Sequence, residues 1–448
     1  MLSLGVILLL VPLVLAGGWV TALLRRYALL ALLCLVPLNG ITLSVGHTNV
    51  RTDQALAALM VVGLGLSALF YRRRLYFDAP LVGIIVLLGL NALTTVFVSP
   101  APGYSATQVV NLTATWAIYA VIVNCVRTAD DADRLTEIFL VLFAVAAVVG
   151  IFAFAAGIAG FRTGMANVEG GPLDGGQAYG AFGTAVEPNI FGSMCQSAFV
   201  AAGAMLLLGA RRRTLLWGVV VVTGLGLLLS FTRAAWLGAL CGLLAAALLA
   251  PVVGRRVSLA PLVLPTVAGA LGLVWLWTDD GPAGVFFRYK VENLVNPQSE
   301  TATYRLVSYG LAWEQVLQKP VFGWGTFTFA PLLAQGSDVK ELGVEHAIWI
   351  SNYVLLILHD TGIVGLAVFV LLIAAVLRMG LRAARALSAD RPESATTVVA
   401  LVASVIGLLI SFLATSGFTF TYPWVVIGLI GAYGRSVGDS PRSLRYSS

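Results

Sequence analysis

Long apolar stretches, separated by short polar gaps, follow one another along almost the whole chain. Their length is close to the roughly 20 residues that a helix needs to cross a bilayer, and they lack the alternation typical of barrel strands. Because hydrocarbon cannot satisfy unpaired backbone groups, they are predicted to be helices. Several are short or rich in glycine, so the sequence predicts an all-α polytopic membrane protein with 12–13 transmembrane helices. The candidates are Leu2–Leu24, Tyr27–Val45, Ala55–Phe70, Ala79–Val98, Ala106–Val126, Leu135–Gly160, Ile190–Leu208, Leu215–Phe231, Ala234–Ala250, Leu259–Trp277, Ile348–Leu377, Ala395–Leu413 and Phe418–Gly434.

One polar gap is much longer than the others. We expect a single transmembrane domain over residues 1–448 that carries one large external loop, residues 278–347. Within this loop, the apolar positions of Thr301–Gln318 have the spacing of an amphipathic helix, which Pro320 would end. A turn is predicted to follow at Gly323–Gly325. A polytopic protein with so long a loop is expected to work there.

Composition and charge fix the class and the orientation. The chain is 59% hydrophobic and 11% charged, whereas a soluble domain carries about 25% charged residues. Nineteen of its 27 basic residues follow odd-numbered apolar stretches, and the positive-inside rule predicts that these gaps are cytoplasmic. The long loop is then outside. The net charge of +6 therefore reflects topology and gives no indication of nucleic-acid binding. We interpret the first stretch as a retained helix, since it lacks the basic start and cleavage site of a signal peptide.

Several kinds of site have no motif in the sequence. It contains no CxxC, no HExxH and no carboxylate cluster with metal-ligand spacing, so no metal or other cofactor is expected. The glycine-rich run Glu169–Gly183 has no predicted strand before it and is given no nucleotide role. All four cysteines fall in apolar stretches, which argues against a disulfide framework: they are Cys34, Cys125, Cys195 and Cys241.

Two arginines are candidates for binding an anion. Arg233 lies in the tight gap between two apolar stretches, where a guanidinium can grip phosphate oxygens in bidentate fashion. The alternative is an arginine that only extends its head group to the membrane surface. Arg305 shares a helix face with Tyr309 in the predicted loop helix. Its alternative is an ordinary solvated arginine.

The remaining candidates are acids, histidines and an amide. His359 and Asp360 lie inside an apolar stretch, as either a structural hydrogen-bonding pair or part of a site. Glu345 and His346 precede that stretch, where either one is a possible general base and a helix cap is the alternative. Asn189 directly precedes another stretch, and its alternative role is to cap the helix that follows.

Four motifs in chain order resemble those of the bacterial O-antigen ligase and O-antigen polymerase superfamily. The similarity runs from about Arg162 to Gly365, and the topology on either side is also similar. The motifs are Glu187-Pro-Asn-Ile-Phe-Gly192, then Phe231-Thr-Arg-Ala234, then Arg305 followed by Trp313, Pro320 and Gly323-Trp-Gly325, and finally Ser351-Asn-Tyr-Val-Leu355 with Asp360-Thr-Gly362.

This resemblance implies a metal-independent glycosyltransferase of the bacterial inner membrane. It would move a glycan from an undecaprenyl-diphosphate-linked donor to an acceptor hydroxyl of a glycan, lipid or protein, on the outer face of the bilayer. The family motif begins with a histidine where this chain has Ser351, so the base is either His346 or Glu345. The residues expected to bind substrate are Arg233, Arg305, Tyr309, Arg162, Asn189, Asn352, His359 and Asp360.

The sequence leaves other functions open. A transporter or flippase would use His359 and Asp360 as a proton relay and the long loop as a gate. A structural membrane protein would use the loop to recruit a partner. Between ligase and polymerase the sequence does not decide.

Overall fold

The computed structural model describes residues 4–45, 48–161, 163–169, 178–258, 260–292, 300–335 and 349–438. In this part of the chain, helices dominate and two short hairpins accompany them. The helices are α1 Leu4–Leu23, α2 Arg25–Leu35, α3 Thr52–Tyr71, α4 Ala79–Phe97, α5 Pro102–Cys125, α6 Ala129–Ile158, α7 Pro188–Leu207, α8 Arg213–Leu229, α9 Arg233–Leu249, α10 Ala260–Thr278, α11 Pro282–Glu292, α12 Glu300–Gln318, α13 Phe329–Gln335, α14 Tyr353–Leu387, α15 Pro392–Ser411 and α16 Tyr422–Gly438. The strands are β1 Thr42–Val45, β2 Thr48–Arg51, β3 Ala166–Glu169 and β4 Ala178–Ala181.

The all-α polytopic prediction is confirmed. Among the described residues, eight helices are long and apolar enough to cross a membrane, and the bent pair α1–α2 would bring the number to nine. Each of the thirteen predicted apolar stretches overlaps a helix, including shorter ones such as α8 and α16. The second stretch, Tyr27–Val45, is only partly helical. Its helix ends at Leu35, because Pro37 lacks an amide donor and a turn at Asn39–Gly40 follows.

The centre of the bundle is formed by α7 and α15, which are almost completely buried. Helix α15 packs against both α7 and α9. Glycines let the backbones approach closely: a Cβ atom at Gly238 of α9 would lie 2.5 Å from the carbonyl oxygen of Gly407 in α15. Small residues at such contacts are typical of membrane helices.

The helices define two ends of the bundle, which we call the loop end and the basic end. At the loop end, α14 begins where α15 ends, and the Tyr353 amide donates to the Phe412 carbonyl at 2.9 Å. At the basic end, arginines predicted to be cytoplasmic pair with carboxylates of other helices. These pairs are Arg391–Asp130 at 2.6 Å, Arg255–Glu393 at 3.3 Å and Arg212–Glu137.

Both hairpins lie at the loop end. Strands β1 and β2 are antiparallel, as are β3 and β4. The two connections touch each other, since the Gly40 amide donates to the Thr184 carbonyl at 2.9 Å. Strand β3 directly precedes the glycine-rich run, so the expectation that no strand precedes it was wrong. Two antiparallel strands of four residues do not form the strand–turn–helix unit that nucleotide loops use.

Candidate functional site: a broken membrane helix bridged by the long loop

Helix α14 is broken at Gly362, one turn after the His359–Asp360 pair. Gly362 has φ 65° and ψ −166°, a conformation essentially restricted to glycine. The break leaves carbonyls before it without amide donors from the helix, and amides after it without carbonyl acceptors from the helix. When buried, such groups are costly unless other protein groups bind them.

The segment Pro320–Gly325 of the long loop fills this break. Two of its amides bind the carbonyls before the break, and two of its carbonyls accept from the amides after it, so that both sides are satisfied. The bonds are Trp324 N–H to the His359 carbonyl at 2.9 Å, Gly325 N–H to the Asp360 carbonyl at 2.9 Å, Ile363 N–H to the Pro320 carbonyl at 2.8 Å and Val364 N–H to the Val321 carbonyl at 3.4 Å.

Glycines make this exchange sterically possible. A Cβ atom at Gly323 would lie 2.4 Å from the His359 carbonyl oxygen, and one at Gly362 would lie 2.2 Å from the Val321 carbonyl carbon. Gly323 also has φ 69°. Within the predicted turn Gly323–Gly325 the backbone bends at Trp324, and close backbone approach explains the glycines on either side of it.

The buried pair lies at the centre of the bridge. Asp360 accepts from the Phe327 amide at 2.9 Å through Oδ2, and its Oδ1 lies 2.9 Å from Nδ1 of His359. Nε2 of His359 lies 2.8 Å from Oε1 of Gln315, near the end of α12. His359 is fully buried and Asp360 is 4% exposed. The pair thus joins three elements: α12, the loop and α14.

The ring of His359 has an acceptor on each side in this arrangement. Donation from both ring nitrogens makes it an imidazolium, with Asp360 as its counter-ion. If the Gln315 amide is turned over, its NH₂ group donates instead and the ring is neutral. Donation from Nδ1 to Asp360 is common to both arrangements.

Helix α4 supports the loop from the other side. The Thr326 hydroxyl donates to Oδ1 of Asn91 at 2.8 Å, and both side chains are buried. The ammonium of Lys319 lies 3.8 Å from the centre of the Trp324 ring and 3.5 Å from the Val98 carbonyl. Burial lowers the pKa of Lys319. The two contacts place the Lys319 amine where the loop meets the end of α4.

Helix α12 carries Arg305 and Tyr309, and the predicted amphipathic helix Thr301–Gln318 is confirmed with a one-residue difference at its start. The Tyr309 hydroxyl donates to the Ser351 carbonyl at 2.8 Å. Burial raises the pKa of Tyr309, and the positive charge of Arg305 acts in the opposite direction. This electrostatic effect agrees with the predicted shared face of Arg305 and Tyr309.

Arg233 begins α9 at the same end of the bundle. In the preceding turn Phe231 has φ 51°, and the Thr232 hydroxyl ties the turn to the start of α7 by donating to the Pro188 carbonyl at 3.0 Å. The Arg233 side chain is exposed. Arg233 and Arg305 thus belong to different packing units, since α9 packs on α7 and α15 whereas α12 packs on α14.

The other predicted residues divide into two groups. Asn352 caps α14 and accepts from the Leu355 amide at 3.0 Å. Asn189 is not the cap of α7; Glu187 occupies that position, because Pro188 takes the first helical position, where its missing amide costs nothing. Arg162, Glu345 and His346 lie outside the described residues. In the part of the chain that the structure describes, no three His, Cys, Asp or Glu side chains are grouped so that they could hold a metal ion.

Sequence reasoning missed most of the partners in this site. Gln315 falls within the predicted loop helix with no feature that marks it, and nothing in the loop pattern marks Thr326. A polar Asn91 within an apolar stretch was the available signal, because such residues usually have a partner. The Phe327 amide had no signal at all in the side-chain pattern.

Comparison with known proteins finds a similarity in the part of the chain that forms this site. Residues 217–370 match the family model described as O-Antigen ligase. No curated protein matches the chain. The matched residues include Arg233, α12 with Arg305, the loop Pro320–Gly325 and the break at Gly362. The resemblance to the O-antigen ligase and O-antigen polymerase superfamily is therefore confirmed across the segment that forms the candidate site.

Proposed function

We propose that this multi-pass membrane protein transfers a glycan from an undecaprenyl-diphosphate-linked donor to an acceptor hydroxyl. The loop end would face outwards from the bacterial inner membrane, because the arginines of the basic end fit the positive-inside rule. A reporter fused after Arg385 is then expected in the cytoplasm, and an external reporter there would contradict the orientation. No metal is required by this chemistry.

The observation that carries the proposal is the position of the two motif arginines. Arg233 and Arg305 both lie at the loop end and both fall within residues 217–370. Arg305 is on a helix that Gln315 attaches to α14 and that Tyr309 attaches to the segment just before α14. A guanidinium binds phosphate oxygens in bidentate fashion, which suits a diphosphate.

The chemistry that follows needs few groups. The acceptor oxygen attacks the anomeric carbon of the donor, the bond from that carbon to the diphosphate breaks, and its electron pair leaves with the diphosphate. The acceptor proton passes to a base. Arginines stabilise the charge that develops on the leaving group, and we assign the base to His346, with Glu345 as the alternative.

In this proposal His359 and Asp360 are positioning residues. They hold Gln315 and Phe327, and through them α12 and the loop, against the break in α14. Because both side chains are buried within protein contacts, we assign them no contact with the glycan. The transport alternative would need a path past Asp360, where the described loop residues instead fill the break.

The arginine assignment is tested with Arg233→Lys and Arg305→Lys. Lysine keeps the charge and loses the planar fork, so we expect each variant to transfer glycan about tenfold more slowly or worse while folding normally. Arg385→Lys, on the exposed last turn of α14, is the matched control and should retain wild-type activity. The measurement is transfer from a lipid-linked donor by purified protein in detergent. Wild-type rates in both lysine variants would refute the assignment.

The base is tested separately. General-base assistance is worth about 10²–10⁴ in rate, so His346→Ala should lower turnover by about two orders of magnitude or more without preventing donor binding. Donor binding is measured in parallel. An active His346→Ala together with an inactive Glu345→Gln would assign the base to Glu345. Activity in both would exclude this pair.

A further inference from the structure

A pocket at the basic end has four arginines in its wall and no acidic side chain. It is open to solvent and lies at the opposite end of the bundle from Arg233 and Arg305. The four come from three separate polar gaps of the sequence, which the fold brings together. They are Arg25, Arg73, Arg74 and Arg127.

The pocket lies beside the bend of 108° between α1 and α2. This bend turns Arg25, the first residue of α2, over the ends of α3 and α5. Below the arginines the wall is apolar or small, and includes Ala22, Met60 and Leu64. The pocket is thus basic at its rim and apolar towards the membrane interior.

The rim is held in place by hydrogen bonds. The side chain of Asn124 accepts from the Tyr76 amide at 2.7 Å and donates to the Ala120 carbonyl at 3.0 Å. These bonds fix the segment between α3 and α4, which carries Arg73 and Arg74, onto α5. Arg73 and Arg74 therefore stand on a segment that is attached to α5.

Elsewhere at the basic end, several arginines pair with carboxylates. These pairs include Arg212–Glu137, Arg255–Glu393 and Arg391–Asp130. Among the described residues, no ion pair joins Arg25, Arg73, Arg74 or Arg127 to a carboxylate. The guanidinium of Arg25 lies within electrostatic reach of the like charges of Arg73 and Arg127. Positive charges gathered around a concave surface without acids favour a bound anion.

We infer that this pocket binds the phosphate group of an anionic membrane lipid. Arginine forks suit phosphate oxygens, the apolar wall suits the start of the acyl chains, and basic pockets between membrane helices are a known setting for such head groups. The positive-inside rule explains why arginines collect in the cytoplasmic gaps. It does not require arginines from three gaps to line one pocket that has no acidic side chain. The site is independent of the proposed glycan transfer.

The experiment measures lipid binding to the purified full-length protein by native mass spectrometry. The probes are phosphatidylglycerol and phosphatidylcholine with the same acyl chains. We expect the wild type to prefer phosphatidylglycerol, and Arg25→Gln/Arg73→Gln to weaken its binding by about fivefold for each arginine removed. The matched control Arg213→Gln/Arg385→Gln removes the same charge from exposed positions at the same end, and should bind like the wild type.

Each outcome decides the inference. Unchanged binding in the pocket variant, or an equal loss in the control, would overturn it, since the effect would then be diffuse surface charge. Inorganic phosphate is added as a competitor. If it displaces the lipid at equal concentration, the pocket is still an anion site, but its ligand is a soluble phosphate and not a lipid head group. If the double variant does not fold, Arg74→Gln on the exposed rim carries the same test. Because the readout is binding, failure of the glycan-transfer proposal would leave this result unaffected.

Discussion

Asp78 and Asp360 lie near opposite ends of α4, although Asp360 belongs to α14. Each carboxylate makes two hydrogen bonds, but the two have different structural roles. Asp78, at the basic end, accepts from the Leu81 amide at 2.9 Å and from the Tyr119 hydroxyl at 2.6 Å. Asp360, near the other end of α4, accepts from the Phe327 amide and meets the His359 ring, each at 2.9 Å. Asp78 caps the helix that follows it, whereas Asp360 holds a distant loop in a broken helix.

The different partners of the two carboxylates indicate which of them depends on its negative charge. A helix cap needs an oxygen acceptor, and asparagine supplies one as well as aspartate does. The acid at the break also faces an imidazole ring, so there the negative charge itself has a partner. Equal hydrogen-bond satisfaction therefore does not imply equal tolerance of substitution.

The largest expected effect comes from removing the break itself. Gly362→Ala places a Cβ atom about 2 Å from the backbone of Val321, in a conformation that costs a side chain about 1–3 kcal/mol before any collision. We expect glycan transfer to be lost and the thermal unfolding midpoint in detergent to fall by several degrees.

Gly310→Ala is the matched control for this change. Gly310 lies in α12 with open space around its Cβ position, so alanine should stabilise the helix by about 0.5–1 kcal/mol. A Gly362→Ala variant that behaves like Gly310→Ala would show that the break is not needed, and the contrast between the two aspartates would disappear.

Asp360→Asn tests the charge at the break. Removing one partner of a buried pair typically costs about 3–5 kcal/mol, so we expect clear destabilisation together with slower transfer, because α12 and the loop lose their attachment to α14. Thermal unfolding and transfer are measured on the same preparation. An Asp360→Asn protein as stable and active as the wild type would mean that the pair acts as a neutral hydrogen-bonding node.

Asp78→Asn is expected to change stability least, and it provides the contrast to Asp360→Asn. Burial raises the pKa of Asp78, with its hydrogen bonds to Tyr119 and Leu81 acting in the opposite direction. Because the folded-state pKa lies above the unfolded one, the stability contributed by this group is present at low pH and is lost as the pH rises through the folded-state pKa. Asparagine does not titrate, so the variant should equal or exceed wild-type stability at pH 7.

Thermal unfolding of both proteins at pH 4 and pH 7 provides the measurement. The difference between Asp78→Asn and the wild type should shrink at the lower pH. A variant that is strongly destabilised at pH 7 would show that Asp78, like Asp360, needs its charge.

The sequence predicted those features that depend on local pattern. Apolar runs located the helices, periodicity located α12, and Pro320 and the glycines located the end of that helix and the turn after it. The similarity of four motifs in order indicated the family. These signals are each contained within a few neighbouring residues.

What the sequence did not reveal depends on contacts between distant residues. Nothing in the run Ile348–Leu377 distinguishes the glycine that breaks the helix, Gly362, from Gly365, because an isolated glycine is tolerated in a membrane helix. The partners of His359 and Asp360 are a side chain 44 positions away and a backbone amide 33 positions away. A backbone amide leaves no trace in residue type. The likeness of Asn189 to a helix cap was misleading because Pro188 moved the cap to Glu187.

The break in α14 also sets a length. The part of the helix after Gly362 ends at Leu387, and with a rise of about 1.5 Å per residue it is roughly 37 Å long. The hydrocarbon core of a bilayer is only about 30 Å thick, so this part alone can span it. The shorter part that begins at Tyr353 is then surplus to the span, and the break falls near the level of the lipid head groups. His359 and Asp360 would therefore sit at the edge of the membrane, where a change in bilayer thickness moves the water boundary towards them or away from them.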